Sequence, residues 1–314
     1  MVYNKTQRKD ITTMKTLVTG GCGFIGSHIV DRLVEDNHDV LVIDNLSAEC
    51  NAEFYYNDKA EYLSLDIVSN EDINSIDYSA DWVFHLAAES RIQPAIKNPT
   101  AAYQVNVMGT CNMLNYARKH KTKRFMYSST SAGYGLKNEI PLKETMKRDC
   151  LNPYSSSKLA GEDLCGVYYS LYGLPTVSFR YFNVYGDRQP LKGQYAPVVG
   201  LFMEMNKHGE SMSVVGDGLQ RRDFTHVSDV VEANILAATT SNKDVFGEVF
   251  NVGTGTNHSM LDLVQMIGGD FHHIPERLGE ARNTLADNTK LKQLLQWSPK
   301  TFIDKWIRNN LNLY

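Results

Sequence analysis

Residues 15–36 read KTLVTGGCGFIGSHIVDRLVED, and this stretch decides the fold. Lys15 to Gly20 is an apolar run closed by glycine, the pattern of a buried strand. From Phe24 onward, Ile25, Ile29 and Leu33 fall on one stripe of a helix. Between the two, Gly20-Gly21-Cys22-Gly23-Phe24-Ile25-Gly26 places glycines with separate physical duties. Gly20 lets the chain turn sharply, Gly23 removes a side chain where backbone must approach a pyrophosphate, and Gly26 allows close helix–strand packing. The diphosphate would rest on the helix N-terminus beside Phe24 and Ile25, where unpaired amides and the helix dipole favour negative charge. Glycine spacing alone is a weak signal, and the strand before it and the helix after it give it weight.

Working outward, DVLVID (39–44) is a second strand ending on Asp44, 24 residues beyond Gly20. A carboxylate there accepts hydrogen bonds from the adenosine ribose and repels a 2′-phosphate, which predicts NAD rather than NADP. Asn45 belongs to the same candidate site, although an Asp-Asn pair also forms an ordinary strand-end turn. YLSLDI (62–67) is a third strand, and its Asp66-Ile67 end reaches the adenine edge, unless Asp66 merely caps the following helix. DWVFHLAA (81–88) is a fourth strand, with Leu86, Ala87 and Ala88 completing the cofactor-binding set, and KRFMYSS (123–129) is a fifth. Helical segments lie between them. The longest is 99–119, where Ala102, Val105, Met108, Cys111 and Met113 keep helical periodicity. Strands alternating with helices predict an α/β fold, a doubly wound parallel (Rossmann) sheet with helices on both faces.

Past about residue 185 the pattern changes. A short strand leads into the turn Gly216-Asp217-Gly218, then come a helix over 226–240, a strand over 248–252 and a helical stretch ending near Tyr314. This predicts a smaller C-terminal α/β substrate-binding domain over 186–314. The cofactor domain is expected over 14–185, with residues 225–255 returning to it, because PTVSFRYFNV (175–184) still reads as a core strand. Residues 1–13 are polar, lack the apolar region of a secretory signal and read as a loose extension.

At 42% hydrophobic and 22% charged residues, the 314-residue chain has ordinary globular composition. A formal net charge of −4 argues against a general nucleic-acid binder. No apolar run approaches the roughly 18 residues that would span a bilayer, so a cytoplasmic protein is expected. The five cysteines are odd in number and form no CxxC pair, which suits reduced thiols packed as small hydrophobes. His272-His273 lack a third ligand at recognisable spacing and read as a solvated loop pair, so no metal site is expected.

Tyr154-Ser155-Ser156-Ser157-Lys158 sets a phenol and an ammonium four residues apart, on one helix face. A tyrosine near its ordinary pKa is a poor base at neutral pH, and a nearby cation is expected to bring it toward the working range. Alone, the Tyr-x-x-x-Lys spacing is a very weak motif that far more often marks a surface helix pair.

GGCGFIGSH, LVIDNLS, HLAAES, YSSTSAGYG, NPYSSSK, RYFNVYGDRQ, GDGLQRRDF and FNVGTG follow one another along the chain. In that order they resemble the extended short-chain dehydrogenases, within them the nucleotide-sugar epimerase/dehydratase family, and most of all its UDP-glucose and UDP-N-acetylglucosamine 4-epimerases. The resemblance runs from about Lys15 to beyond Trp297. It implies NAD as cofactor, Tyr154 as catalytic base, Lys158 as its partner holding the nicotinamide ribose, and Thr130 as the hydroxyl that shares the sugar's proton. It also implies that Asn183 lies near the substrate diphosphate and that Arg222 and Arg277 clamp it, in keeping with bidentate guanidinium–phosphate bonding. Thr284, seven residues beyond Arg277, would border the sugar's C2 substituent and leave room for an N-acetyl group. A homodimer built on helix 99–119 and the Tyr154 helix, with Met108 and Cys111 on a shared apolar face, is implied as well.

The implied reaction is 4-epimerisation of a UDP-sugar through a transient 4-ketose. Related dehydratases carry an Asp-Glu pair after the Thr, whereas Ser131 and Ala132 stand here, so no carboxyl group is supplied at those positions. Other features lean the other way: Glu89-Ser90 is similar to dehydratase wording, Arg91 is unusual in that loop, Gly133 replaces a commoner Val, and Leu278 replaces the usual Pro after Arg277. A 4,6-dehydratase or another nucleotide-sugar epimerase is the alternative. A non-catalytic NAD-binding scaffold is the rival from another class, set against the joint presence of Thr130, Tyr154 and Lys158.

Overall fold

The computed structural model describes residues 12–48, 53–191 and 196–311. Most of the expected N-terminal extension, Cys50 and Tyr314 lie outside the described residues. Thirteen strands are present among them: β1 (Lys15–Thr19), β2 (Asp39–Ile43), β3 (Glu61–Leu63), β4 (Trp82–His85), β5 (Arg124–Thr130), β6 (Thr176–Tyr181), β7 (Val184–Tyr185), β8 (Met212–Val215), β9 (Arg221–Asp223), β10 (Thr225–His226), β11 (Glu248–Val252), β12 (Asn257–Ser259) and β13 (Phe271–Ile274). The helices are α1 (Phe24–Glu35), α2 (Asn70–Asn74), α3 (Ile92–Lys97), α4 (Pro99–Tyr103), α5 (Thr110–Lys119), α6 (Pro153–Tyr172), α7 (Val198–Lys207), α8 (Val227–Thr239), α9 (Met260–Ile267), α10 (Thr289–Leu295) and α11 (Ile303–Asn310).

Seven strands form one sheet in the order β11-β6-β5-β4-β1-β2-β3, every neighbouring pair parallel. Successive residues of the central strands face opposite layers, as the pleat requires. Leu17, Leu41, Val83 and Phe125 join the core beneath α5 and α6, while Val18, Val42, Phe84 and Met126 join the core beneath α1, α8 and α10. Burial on both faces accounts for the unbroken apolar runs that marked these strands in the sequence. A third core, around Phe202, Met212, Leu263 and Trp306, holds α7, α9 and α11 against the two-stranded β8–β13 sheet.

Several boundaries differ from expectation. The third strand stops at Leu63, not Ile67, because Asp66 closes a turn with the Val68 amide (2.9 Å). The fourth stops at His85: the Leu86 amide still donates to the Thr19 carbonyl (3.1 Å), and the Ala87 amide donates to the Thr19 hydroxyl (3.2 Å). Residues 99–119 are helical throughout but in three pieces, α4 and α5 being separated by a π-helical stretch over Gln104–Gly109. Residues 175–184 divide between β6 and β7, the latter pairing with β10 outside the large sheet. His272 and His273 are not in a loop: they lie on β13, paired with Ser213 and Val214 of β8.

Candidate active site

The strand order reverses between β1 and β4, and a crevice opens there at the carboxyl ends of the strands. The glycine loop forms its floor. Gly20 adopts φ +69°, a left-handed conformation suited to glycine, and a Cβ at Gly26 would collide with the Gly20 carbonyl oxygen. Gly23 is the N-cap of α1 without any side-chain cap, so the first amides of the helix are left for an anion. This is a cradle shaped for a dinucleotide pyrophosphate.

Asp44, at the end of β2, accepts the Cys22 amide on Oδ2 (3.0 Å) and the Leu46 amide on Oδ1 (2.9 Å), so its carboxylate is fixed against the glycine loop. Asp44 therefore closes a strand-end turn, and together with Asn45 it lines the cleft. Asp66 does not cap the next helix. Ser69 does so, accepting the Asp72 amide, and Asp66 lines the cleft beside Ile67.

One cleft of about 610 Å³ is lined by Gly20, Gly23, Phe24, Ile25, Gly26, Asp44, Asn45, Asp66, Ile67, Leu86, Ala87 and Ala88 at one end. It continues past Thr130, Tyr154 and Lys158 to Asn183, Arg222, Arg277 and Thr284. All the residues that the sequence offered for the cofactor, catalytic and substrate sites line this one space.

Tyr154 and Lys158 stand one turn apart on α6, whose start is set by Pro153 at its first turn and by Asn152, whose side chain accepts the Ser155 amide (2.8 Å). Lys158 is buried, its ammonium 4.5 Å from the centroid of the Tyr127 ring. Burial lowers its pKa to about 7, opposed by the charges of Cys165 and Glu162. The Tyr154 phenol is not pulled down toward neutrality as expected from the Lys158 spacing. Burial pushes it up, Glu89 adds to that shift, and only the Thr130 hydroxyl lying against it favours the phenolate. Desolvation of the half-buried phenol is the leading cause, and Lys158 is not among the groups that shift it.

At the far end, Arg222 faces Glu280 at 3.7 Å and burial lowers its pKa. Thr284 is buried, and its hydroxyl accepts the Asp223 amide (3.3 Å). Asp223 itself was missed in the sequence. Its buried carboxylate accepts four hydrogen bonds, from the Thr254 amide and hydroxyl and from the Gly255 and Ala286 amides, and so ties together the segments carrying Arg222 and Thr284. Its place directly after Arg222 in QRRDF was the available signal. Glu162 was missed too: it binds the Arg180 guanidinium at 2.9 and 2.8 Å and accepts the Ser129 hydroxyl (2.5 Å), fixing the strand that presents Thr130 to the helix that carries Lys158.

Ser131 and Ala132 supply no carboxylate to the cleft, but Glu89 does, from the loop after β4. No helix among the described residues is long and apolar enough to cross a membrane.

Comparison with known proteins agrees with this geometry. A model of the NAD dependent epimerase/dehydratase family matches residues 16–253. The chain is 34% identical over 315 residues to the UDP-glucose 4-epimerase of Mycolicibacterium smegmatis, covering 96% of this chain and 98% of that one. It superposes with a TM-score of 0.89 on the UDP-glucose 4-epimerase of Thermotoga maritima solved with UDP-glucose, at 34% identity over 95% of this chain and 98% of that one. The UDP-N-acetylglucosamine 4-epimerase of Methanobrevibacter ruminantium, solved with UDP-N-acetylmuramic acid, gives 0.88 at 31% identity, over 96% and 98%. With a glycine cradle, a Thr-Tyr-Lys cluster and near full-length matches, the chain belongs to the NAD dependent epimerase/dehydratase family.

Proposed function

We propose that this protein is an NAD-dependent UDP-sugar 4-epimerase acting on UDP-glucose/galactose and on the N-acetylated pair. The observation that carries it is the meeting of Thr130, Tyr154 and Lys158 in one cleft with the glycine cradle. Gly20, Gly23, Gly26 and Asp44 would hold the dinucleotide, whose nicotinamide supplies hydride acceptance and return. The residues do the rest. Tyr154 takes the proton of the sugar 4-hydroxyl with the Thr130 hydroxyl favouring the phenolate, and the Lys158 ammonium orients the cofactor ribose. Arg222, Arg277 and Asn183 hold the diphosphate while the ketose turns over. Since Ser131 and Ala132 carry no acid or base, the ketose takes back its hydrogen rather than losing water.

To test this, the purified protein is incubated with UDP-, GDP- and dTDP-sugars and the products are identified by NMR. Interconversion of the 4-epimers of a UDP-sugar is expected. A 4-keto-6-deoxy product would instead establish a dehydratase.

A homodimer is part of the same proposal. Met108 on the π-helical stretch and Val167 and Leu171 on α6 are 53%, 45% and 70% exposed, apolar surface on the helices expected to pair. Light scattering at micromolar concentration should report twice the chain mass, and Leu171→Glu should halve it. A monomer in both rejects the pairing.

A further inference from the structure

Arg91 lines the cleft with its guanidinium in no hydrogen bond or ion pair among the described residues. The neighbouring cations are engaged, Arg222 with Glu280 and Lys158 with the Tyr127 ring. The position of Arg91 is held from both sides. Asn106, presented by the π-helical stretch, accepts the Glu89 amide and donates to the Glu89 carbonyl (2.9 Å each) and to Ser157 Oγ (2.9 Å), between Tyr154 and Lys158. Glu89 Oε1 in turn accepts the Arg91 amide (3.2 Å). On the other side, Gln93 donates to the Leu278 carbonyl (3.0 Å), next to Arg277, and Asn152 donates to the Gly279 carbonyl (2.8 Å). Arg91 therefore sits two residues from a carboxylate that acts on the Tyr154 phenol and two residues from a side chain bonded to the Arg277 loop. Under the proposed function, that interval between reacting centre and diphosphate is where the hexose lies.

A guanidinium keeps its charge at every working pH. A neutral hexose filling the cleft would strip water from Arg91 and return only hydroxyls, leaving a desolvated guanidinium with which the nearby Glu89 carboxylate makes no ion pair. A carboxylate on the sugar turns that penalty into a bidentate, charge-assisted pair. We propose that Arg91 is a specificity-determining residue for UDP-sugars carrying a carboxylate on the hexose. The proposal rests on the UDP-sugar reading of the cleft.

The test measures calorimetric affinities of UDP, UDP-glucose, UDP-glucuronic acid and UDP-N-acetylmuramic acid for the NAD-loaded protein and for Arg91→Gln. The two acidic probes distinguish a carboxylate at C5 from one carried on O3. At least one should bind the native protein about tenfold tighter than UDP-glucose and lose that advantage in the variant. UDP and UDP-glucose should change by less than about twofold. Acidic sugars that bind no better than UDP-glucose overturn the proposal. So does a variant that weakens UDP as much as the acidic sugars, since Arg91 would then be a third arm of the diphosphate clamp. A native protein that binds none of the four, UDP included, refutes the UDP-sugar reading, and the proposal falls with it.

Discussion

The Lys158 ammonium lies 4.5 Å from the centroid of the Tyr127 ring, and the Tyr127 hydroxyl donates to the Lys158 carbonyl oxygen (3.0 Å). One aromatic side chain thus holds both the charge and the backbone of the residue that partners Tyr154. Burial lowers the lysine to about 7, and the ring face offsets part of that loss by attracting the cation. Tyr127→Leu should lower the Lys158 pKa further, by about one unit, seen as a shift in the pH–rate profile. Tyr127→Phe, which keeps the ring face, should leave the profile in place. Identical profiles for both variants would remove the ring from the account.

Asp44 accepts the Cys22 and Leu46 amides, and under the proposed function it would couple cofactor choice to the shape of the glycine loop. Asp44→Asn keeps an acceptor for one of these two amides and removes the charge that repels a 2′-phosphate. Discrimination between NAD and NADP should fall about tenfold, read as the ratio of the two affinities in the folded variant. Equal affinity of the native protein for both cofactors would sink the ribose-clamp assignment.

Acid should unfold the protein through the buried His85 imidazole and the half-buried His226 imidazole. Burial lowers His85 to about 3 and His226 to about 4. As the pH falls from 6.5 toward 4, the unfolded chain takes up protons that the folded chain refuses, so stability is lost as pH drops through this window. Each site costs up to about 1.4 kcal/mol per pH unit. His85→Gln, which can still meet the Thr19 and Thr110 hydroxyls, should flatten the stability slope by about one proton. An unchanged slope would place the acid sensitivity elsewhere.

Thr284 lines the cleft with its hydroxyl tied to the Asp223 amide. Thr284→Tyr puts a ring into the space beside the sugar, and steric exclusion rejects a larger substrate more firmly than spare room selects one. The variant should keep epimerising UDP-glucose and lose at least about tenfold in kcat/KM on UDP-N-acetylglucosamine. Unchanged turnover of the N-acetylated sugar would show that Thr284 is not the gate.

The glycine loop and the strand faces were legible because both are written in local pattern. Leu17 and Val18 alternate in sequence as they alternate between layers. Asp66 was ambiguous because Ser69, three residues on, competes for the same helix terminus and wins it. The direction of the Tyr154 shift was not legible at all: the Lys158 spacing suggested a lowered pKa, but burial and the charge of Glu89 both depend on segments distant in sequence. Asn106 could not be connected to the site for the same reason. Its bonds to Glu89 and Ser157 span 17 and 51 residues, through a π-helical stretch that no local periodicity announces.

The central claim is that Tyr154 drives a reversible oxidation at C4 whose hydrogen never leaves the cleft. The most direct measurement is epimerisation of UDP-glucose in D2O, with NMR and mass analysis of the sugar, by the native protein and by Tyr154→Phe. The native protein should yield the 4-epimer with protium retained at C4, and the variant should keep its dinucleotide but form no product. Deuterium at C4, a dehydrated sugar, or native turnover by Tyr154→Phe would contradict the account.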